Sequence, residues 1–321
     1  MENTWYHSNR VCEKSYRKLF SLKKETLTMS KMEEQEKYID IIKEIATDFR
    51  IMKNIRPLKQ SEVNYFYDEF SISASHNSNA IEGNTFTYDE TRLLLKEGVT
   101  SSARSYKEHE EIVGYKQAFD FLYKALKESR KVTEDFIKEL HSYVLRGNEE
   151  AGSYRTIQNY IGDMFNVTYT PCSPSIVPKK MKSYVEELQK DMEKNVSIKE
   201  QEEVDWVSIF HSLAKHHIEF EKIHPFIDGN GRSGRLLLTY EIISMGLLPI
   251  DIRYEERTRY YSALSSYDDK AKYSINPTSK TDKMAKLIAE SELRSMKVWI
   301  SIFGEITSGE MDESDIEIGD K

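Results

Sequence analysis

The chain has 321 residues, of which 39% are hydrophobic, 11% aromatic and 31% charged, a composition that allows one large or two ordinary domains and excludes a wholly disordered chain. The formal net charge of −8 disfavours binding to nucleic acid phosphates through an overall positive field. Cys12 and Cys172 are the only cysteines, too few for a disulfide framework or a thiolate zinc site, and we expect both to be reduced.

The N-terminal segment is not expected to be a secretory signal. Residues 1–10 are polar and lack the apolar core and cleavage site of a secretory signal. No apolar run approaches the ~20 residues of a membrane-spanning helix, so we expect a cytoplasmic protein that does not cross or bind a membrane. The basic stretch 10–24 is expected to be a solvated extension, with binding of nucleic acid or a partner as the alternative.

The pattern of apolar residues predicts a mostly helical chain. These residues recur at intervals of three and four, and the chain has only 13 Gly and 7 Pro. In chain order, the predicted helices include residues 63–70, 112–126, 136–144, 181–192, 207–221, 236–243, 260–267 and 282–303. Gly83 is expected to end the first, Thr87 and Glu90 form a capping box that opens another, and Thr133 caps a helix that stops at Gly147. The apolar segment 236–243 should be the central, buried helix.

One short segment has the alternation of a strand. Val167 and Tyr169 alternate with Asn166 and Thr168 within residues 165–169. The segment is short enough to be one arm of a hairpin. The fold class predicted from these elements is therefore all-α with a small β-hairpin.

The most informative segment lies between two predicted helices at residues 224–235, which read His-Pro-Phe-Ile-Asp-Gly-Asn-Gly-Arg-Ser-Gly-Arg. Gly229 and Gly231 flank Asn230, so the backbone can turn tightly and direct successive N–H groups at one anion. The turn comes at a predicted helix N-terminus, where the helix dipole favours negative charge. This arrangement predicts a phosphate-binding site.

Charged side chains of the same segment add the chemistry of group transfer. Arg232 and Arg235, three apart on the first helical turn, place two cations where the dipole is already positive, a conflict that a bound polyphosphate would relieve. Asp228 is a hard oxygen ligand that suits Mg²⁺ beside phosphate oxygens. His224 can act as a general base, because an unperturbed pKa near ~6.5 leaves it mostly neutral, and Phe226 is expected to point into the core. The pattern predicts phosphoryl or nucleotidyl transfer, and no Lys-Ser or Lys-Thr follows the glycines as in a Walker motif.

This segment resembles the signature of the Fic family, His-Pro-Phe-x-Asp-Gly-Asn-Gly-Arg-x-x-Arg, at every signature position. The resemblance extends to residues 152–155 and to Arg257, Tyr260 and Leu264, and it covers roughly residues 58–268. It implies a Fic-type helical domain that transfers AMP from ATP to a Ser, Thr or Tyr hydroxyl of a target protein, with release of pyrophosphate.

The resemblance also implies a role for each position of the motif. His224 would deprotonate the target hydroxyl, and Asp228 would hold Mg²⁺ against the α- and β-phosphates. The other implied nucleotide-binding residues are Gly229, Asn230 and Gly231 in the anion hole and Arg232 and Arg235 on the outer phosphates. Residues 158–171 would be the flap that pairs with the backbone of the target, and Cys172 follows it where family members often have a second proline.

A second, upstream motif resembles the inhibitory sequence of the same family. Residues 78–83 read Ser-Asn-Ala-Ile-Glu-Gly, which fits Ser/Thr-x-x-x-Glu-Gly/Asn. Glu82 would lie at the C-terminus of its helix, where the dipole disfavours an anion, so pairing with Arg235 would satisfy both charges. The resemblance implies that Ser78 and Glu82 belong to an inhibitory helix, and that Glu82 denies Arg235 to the γ-phosphate.

These inferences predict three regions and leave alternatives open. The regions are an N-terminal extension (1–57), a Fic domain with its inhibitory helix (58–268), and a C-terminal helix with an acidic tail (269–321). Removal of AMP from a modified target is one alternative, transfer of another nucleotide or phosphocholine is a second, and an ATP-sensing protein without transfer is a third. Self-modification is a further hypothesis. His211, His216 and His217 are expected to have helix-packing roles rather than to bind a metal, because no zincin spacing accompanies them.

Overall fold

The computed structural model describes residues 29–100, 103–162, 167–194, 198, 201, 203–266 and 281–304. Within these residues the fold consists of ten α-helices, two short 3₁₀ helices and one two-stranded antiparallel sheet. The helices are α1 (Met29–Lys53), α2 (Gln60–Ile81), α3 (Tyr88–Glu97), α4 (Tyr106–Lys127), α5 (Glu134–Val144), α6 (Val177–Lys194), α7 (Trp206–Ile223), α8 (Asn230–Ser244), α9 (Arg257–Ser265) and α10 (Asp282–Phe303). The prediction of an all-α fold with a small hairpin is confirmed.

Local capping signals explain several helix ends. The Thr87 side chain accepts a hydrogen bond from the backbone N–H of Glu90, and the Glu90 carboxylate accepts one from the N–H of Thr87, so the predicted capping box is confirmed. Helix α2 ends at Ile81 with Glu82 as its C-cap, and Gly83 follows at a left-handed φ of 96°, which glycine adopts without strain. Helix α5 begins at its predicted cap, Thr133, but its last helical residue is Val144, three residues before the predicted stop.

Helix α8 is the centre of the molecule, as predicted. Residues 232–242 are all buried. One side of the helix, with Leu236 and Tyr240, packs into a hydrophobic cluster with α4, α5 and α6. Leu238 and Ile242 pack into a second cluster with α1, α7 and α10. The N-terminus of α8 is therefore held firmly between two cores.

Helices α1 and α10 lie outside the predicted middle region, residues 58–268, but pack into the same hydrophobic core. Ile45 and Phe49 of α1 belong to the same buried cluster as Leu287 of α10 and Phe210 of α7, and the ring of Phe49 meets that of Trp206 edge-on with centroids 5.1 Å apart. The division of the chain at 57 and 268 remains a prediction, and hydrophobic packing crosses both borders.

The hairpin lies beside the segment before α8. Strand β1 (Ile161–Gly162) pairs antiparallel with β2 (Val167–Tyr169), with Ile161 opposite Tyr169. The predicted strand is confirmed over 167–169. Several other predictions fall outside the described residues. They concern residues 165 and 166 of the predicted strand, the basic stretch 10–24, Cys12, Tyr267 and the acidic tail.

The sequence predicts a reduced Cys172 and no membrane-spanning helix. Cys172 is a free cysteine. Among the described helices, none combines the length and apolar character that crossing a bilayer requires.

Candidate active site

The loop between α7 and α8 starts with a histidine in an unusual backbone conformation. His224 caps α7 with φ 50° and ψ 62°, and its N–H donates to the carbonyl of Phe220 at 3.0 Å. Non-glycine residues with positive φ are uncommon, and the strain that this conformation stores must be offset by surrounding contacts. One such contact is the Nε of Arg155, which donates to the carbonyl of His224 at 2.8 Å.

The His224 imidazole is held in the form that a general base requires. Nδ1 lies 3.3 Å from the carbonyl oxygen of Glu221. A carbonyl can only accept, so Nδ1 carries the hydrogen and Nε2 keeps a lone pair. Burial lowers the pKa of His224, which keeps the ring neutral near pH 7. The residue predicted to be the base therefore has one ring nitrogen free to accept a proton.

The side chain of Asn230 holds the loop in place through two hydrogen bonds to its backbone. Its Oδ1 accepts from the N–H of Phe226 at 2.9 Å, and its Nδ2 donates to the carbonyl of Phe226 at 2.8 Å. The Phe226 ring is fully buried, as expected. Asn230 can contact a bound anion only through its backbone N–H.

The N-terminus of α8 presents unpaired backbone donors. Gly229 is the cap at φ 72° and has no side chain to cover the first turn. The N–H groups of Asn230, Gly231 and Arg232 have no partner within the helix. Asp228 stands next to them, with its Oδ1 2.6 Å from the N–H of Gly229 and its side chain 53% exposed. A solvent-open carboxylate beside a row of N–H donors fits a Mg²⁺–phosphate group.

Arg235 is buried and pairs with the upstream motif. Its Nη2 donates to Oε1 of Glu82 at 2.7 Å and to the carbonyl of Ser78 at 3.0 Å, and its Nε donates to Oγ of Ser78 at 2.9 Å. The side chain of Arg235 is 5% exposed and that of Glu82 is 37% exposed. Burial alone would lower the pKa of Arg235, but Glu82 and Tyr260 hold it above its ordinary value. The structure thus brings together the predicted arginine, serine and glutamate.

One detail of the sequence interpretation is wrong. Helix α8 begins at Asn230, so Arg235 lies on the second turn and only Arg232 lies on the first. The helix dipole acts mainly over the first turn. The dipole of α8 therefore does not explain why Arg235 needs a partner, whereas Glu82 does lie at the C-terminal cap of α2, as predicted. Arg235 needs the carboxylate because its own charge is buried.

Comparison with known proteins agrees with this geometry. Residues 131–242 match the model of the Fic/DOC family. This match assigns a Fic domain to that part of the chain. It is 34% identical over 189 residues to "Protein adenylyltransferase fic-1" of Caenorhabditis elegans and 33% identical over 197 residues to "Protein adenylyltransferase Fic" of Nematostella vectensis. These alignments cover 58% and 59% of this chain, but the chain spans only 34% and 42% of the two relatives.

Two solved Fic structures resemble most of the chain. A Fic domain containing signaling protein of Bacteroides thetaiotaomicron aligns with a TM-score of 0.69 at 27% identity, covering 82% of this chain and 97% of that one. Fic-1 of Caenorhabditis elegans aligns with a TM-score of 0.64 at 26% identity, covering 84% of this chain and 74% of that one. The likeness therefore extends well beyond the family motif.

In this Fic domain, Arg232 lies between two carboxylates. Its Nη1 is 3.4 Å from Oε1 of Glu111 and its Nη2 is 3.4 Å from Oδ1 of Asp228. Oε2 of Glu111 accepts from Nδ2 of Asn84 at 3.0 Å. Buried Nε of Arg232 has no hydrogen-bond partner among the described residues. Sequence reasoning placed Arg232 on the outer phosphates and missed Glu111, which lies on α4 without any local motif.

The base of the predicted flap is tied to the loop between α7 and α8. Besides the carbonyl of His224, Arg155 binds the carbonyl of Ile157 at 3.1 Å and that of Cys172. Nδ2 of Asn159 donates to the carbonyl of Phe226 at 3.0 Å. Both ends of the predicted flap are therefore positioned against the loop that carries His224.

The three histidines of α7 pack between helices, as predicted. Nδ1 of His216 contacts Glu241 at 2.7 Å, and its Nε2 contacts Asp191 at 3.1 Å. His217 lies behind α8, with Nε2 2.9 Å from the hydroxyl of Tyr260. His211 contacts the C-terminal part of the chain at Thr281 and Asp282.

Proposed function

We propose that this chain is a protein adenylyltransferase, which transfers AMP from ATP to a Ser, Thr or Tyr hydroxyl of a target protein. The observation that carries the proposal is the neutral His224 with a free Nε2, placed one short loop before the open N–H groups of α8. The names of the aligned relatives support the same activity. A buried arginine at Arg235 suits the outer phosphates of the nucleotide.

The reaction follows from these groups. Nε2 of His224 takes the proton of the target hydroxyl, and the hydroxyl oxygen forms a bond to the α-phosphorus of ATP. The bond between the α-phosphorus and the bridging oxygen breaks, and pyrophosphate leaves with that electron pair. The N–H groups at residues 230–232 stabilise the charge on the phosphate oxygens, which is the main source of catalysis in such transfers.

We propose Mg²⁺ as the cofactor and Asp228 as its protein ligand. Mg²⁺ commonly binds through one or two carboxylates with phosphate oxygens and waters. When bound, the ion neutralises charge on the phosphates. The exposed side chain of Asp228 suits this role, because its Oδ1 contacts only the N–H of Gly229 and, at 3.4 Å, Arg232.

We also propose that Glu82 restrains the activity. Its carboxylate accepts a hydrogen bond from Nη2 of Arg235. A γ-phosphate that binds this nitrogen therefore has to displace the carboxylate. The partly exposed Glu82 can return to water, but the buried Arg235 cannot, and an unpaired buried charge costs roughly 3–5 kcal/mol. Release of Glu82 is therefore favourable only when another anion takes its place on Arg235.

The proposed partners are ATP and a protein with an accessible hydroxyl side chain. Strand β1 has β2 on one side, and the target would add as a strand to the hairpin. Ile157, just before the flap, and Tyr160, within it, are 60% and 65% exposed and offer apolar contacts to such a segment. Self-modification is a special case in which the acceptor is the chain itself.

The test compares wild type, Glu82→Gly and Glu82→Gly/His224→Ala, each incubated with ATP, Mg²⁺ and cell extract. We expect Glu82→Gly to raise AMP transfer several-fold or more, and His224→Ala to abolish it, as measured by mass spectrometry of adenylated side chains. Glu97→Gly is the matched control, because the exposed Glu97 also precedes a left-handed glycine, Gly98, at a helix end. We expect it to leave transfer at the wild-type level.

The same experiment distinguishes the alternatives. If Glu82→Gly is no more active than wild type on any protein, itself included, the restraint by Glu82 is refuted. ATP that binds without transfer by any variant would favour a sensing protein. Loss of AMP from a pre-modified substrate that requires Glu82 would favour removal of AMP.

A further inference from the structure

A histidine of α5, His141, contacts the loop between α7 and α8. His141 is fully buried, and its Nε2 lies 3.0 Å from the carbonyl oxygen of Asp228. Its Nδ1 accepts from the N–H of Gly152 at 2.9 Å. The imidazole stacks on the ring of Phe226 with centroids 3.6 Å apart and planes 3° from parallel. Every polar atom of this side chain is therefore engaged, and each contact is to a segment of the site.

The two hydrogen-bond partners of His141 determine which ring nitrogen carries the hydrogen. A backbone N–H can only donate, so Nδ1 must present its lone pair to Gly152. A backbone carbonyl can only accept, so Nε2 must carry the hydrogen that is donated to Asp228. The bond to Asp228 is therefore directional, and a side chain without an N–H at this place cannot replace it.

The same ring touches the turn that follows Asp228. A Cβ added to Gly229 would lie 3.3 Å from Nε2 of His141 and equally close to Val144 and Leu145. The C-terminal end of α5 therefore packs directly against this turn. An imidazole that is hydrogen-bonded to the carbonyl of Asp228 and packed against Gly229 leaves the backbone of this turn little freedom.

His141 also joins the two halves of the site. Gly152 starts the segment that leads to Arg155, and Arg155 holds the carbonyl of His224. Through Gly152 on one side and Asp228 on the other, a single ring sets the position of the segment that supports the base and of the turn that supports the carboxylate.

We infer that His141 is a positioning residue, which orients the Asp228–Gly229 turn for AMP transfer through its Nε2–H. The inference rests on the proposed function for its kinetic part. An apolar residue of similar shape would fill the space and stack on Phe226, but it would leave the buried carbonyl of Asp228 and the N–H of Gly152 unpaired. The expected defect is therefore a misplaced turn in a folded protein.

The kinetic test uses three variants in the Glu82→Gly background. His141→Gln keeps a donor for the carbonyl of Asp228, His141→Asn keeps an acceptor for Gly152, and His141→Phe keeps only the stacking. Initial rates of labelled AMP incorporation into extract proteins are measured against ATP concentration. We expect His141→Phe and His141→Asn to lower the maximal rate at least tenfold with less than a threefold change in half-saturating ATP. We expect His141→Gln to recover most of the rate.

Two readouts separate positioning from simple stability. Thermal unfolding identifies the temperature at which all variants are folded, and the rates are compared there. Rates for His141→Phe that then match those of the Glu82→Gly parent, or an equal loss for all three variants, would overturn the inference. Nitrogen-15 NMR of the histidine-labelled Glu82→Gly protein reports the tautomer directly, and we expect hydrogen on Nε2 of His141.

The NMR result also separates this inference from the proposed function. If Glu82→Gly transfers no AMP with His141 intact, the proposed function fails and the tautomer alone decides the inference. Hydrogen on Nε2 would support the bond to Asp228. Hydrogen on Nδ1 would overturn it whatever the activity.

Discussion

Asn77 on α2 and Asp251 in the loop after α8 are joined by a hydrogen bond of 2.6 Å from Nδ2 to Oδ2. The hydroxyl of Ser73 donates to the same oxygen at 2.7 Å, and Oδ1 of Asn77 accepts from the N–H of Tyr254 at 3.1 Å. Asn77 comes immediately before Ser78, which contacts Arg235. The last turns of α2 are therefore fastened to the chain that follows α8, on the side from which Glu82 reaches the site.

This link predicts that Asp251→Ala loosens the inhibitory contact from a distance. Loss of Oδ2 removes two hydrogen bonds to α2, so Glu82 is held less firmly on Arg235. We expect Asp251→Ala to raise AMP transfer several-fold in the wild-type background and to add nothing once Glu82 is Gly, because both changes act on one contact. Ser73→Ala, which removes one of the two bonds, should give a smaller rise. Equal effects of Asp251→Ala with and without Glu82 would mean that the link does not act on inhibition.

A second prediction concerns the close approach of Glu82 to α8. A Cβ added to Gly231 would lie 2.2 Å from Oε1 of Glu82. Gly231→Ala should therefore push the carboxylate away and cost roughly 1–3 kcal/mol of unfolding free energy. In the Glu82→Gly background the same substitution should cost clearly less, because the remaining close neighbour of the added Cβ is Nη1 of Arg235 at 3.1 Å. Chemical denaturation of the four proteins measures this coupling, and additive effects would contradict it.

The local elements and the motif chemistry could be predicted from the sequence, because their signals lie within a few residues of one another. Helix α10 was expected at 282–303 from apolar periodicity alone and forms at Asp282–Phe303. The Thr87 capping box and the strand at Val167–Tyr169 follow from equally local patterns.

The supporting contacts of the site could not be predicted, because they depend on how the helices pack. His141 is separated from Asp228 by 87 residues, and Glu111 on α4 precedes Arg232 by a still longer stretch. The one signal for His141 is a polar residue on the apolar face that contains Ile137 and Val144. A single such residue is as often a structural histidine as a functional one, and only the direction of its hydrogen bonds decides.

A third prediction concerns pH and the ion cluster that joins α6, α7 and α8. Burial alone would lower the pKa of His216, but Glu241 at 2.7 Å and Asp191 at 3.1 Å raise it to about 9. A histidine whose folded pKa is raised stabilises the fold fully below its unfolded pKa of ~6.5, and this stabilisation is lost as pH rises through the folded pKa.

The comparison of wild type with His216→Gln isolates this contribution. We expect the difference in unfolding free energy to be on the order of 3 kcal/mol at pH 6 and to shrink as pH rises from 6.5 to 9. Denaturation at several pH values measures it. A difference that stays constant across this range would show that the charge on His216 is not what stabilises the cluster.

The last prediction concerns a buried carboxyl group in α10, which lowers the stability of the fold as pH rises. Glu292 is completely buried, and Oε1 accepts from the N–H of Leu248 at 3.0 Å while Oε2 has no partner among the described residues. Burial raises the pKa of Glu292 to about 8 despite that hydrogen bond. Below the unfolded pKa of ~4.5 both states are protonated and the group costs nothing. Between there and pH 8 the unfolded chain releases a proton that the folded chain keeps, so folding becomes progressively less favourable.

Glu292→Gln removes this titration and keeps an oxygen for the N–H of Leu248. Relative to wild type, the variant should therefore gain stability as pH rises from 4.5 to 8, by on the order of 3 kcal/mol at pH 7 compared with pH 4.5. The new amide adds an offset that does not depend on pH, so the slope and not the absolute difference is the test. Parallel stability curves for the two proteins over this range would mean that the buried carboxyl ionises as readily in α10 as in the unfolded chain.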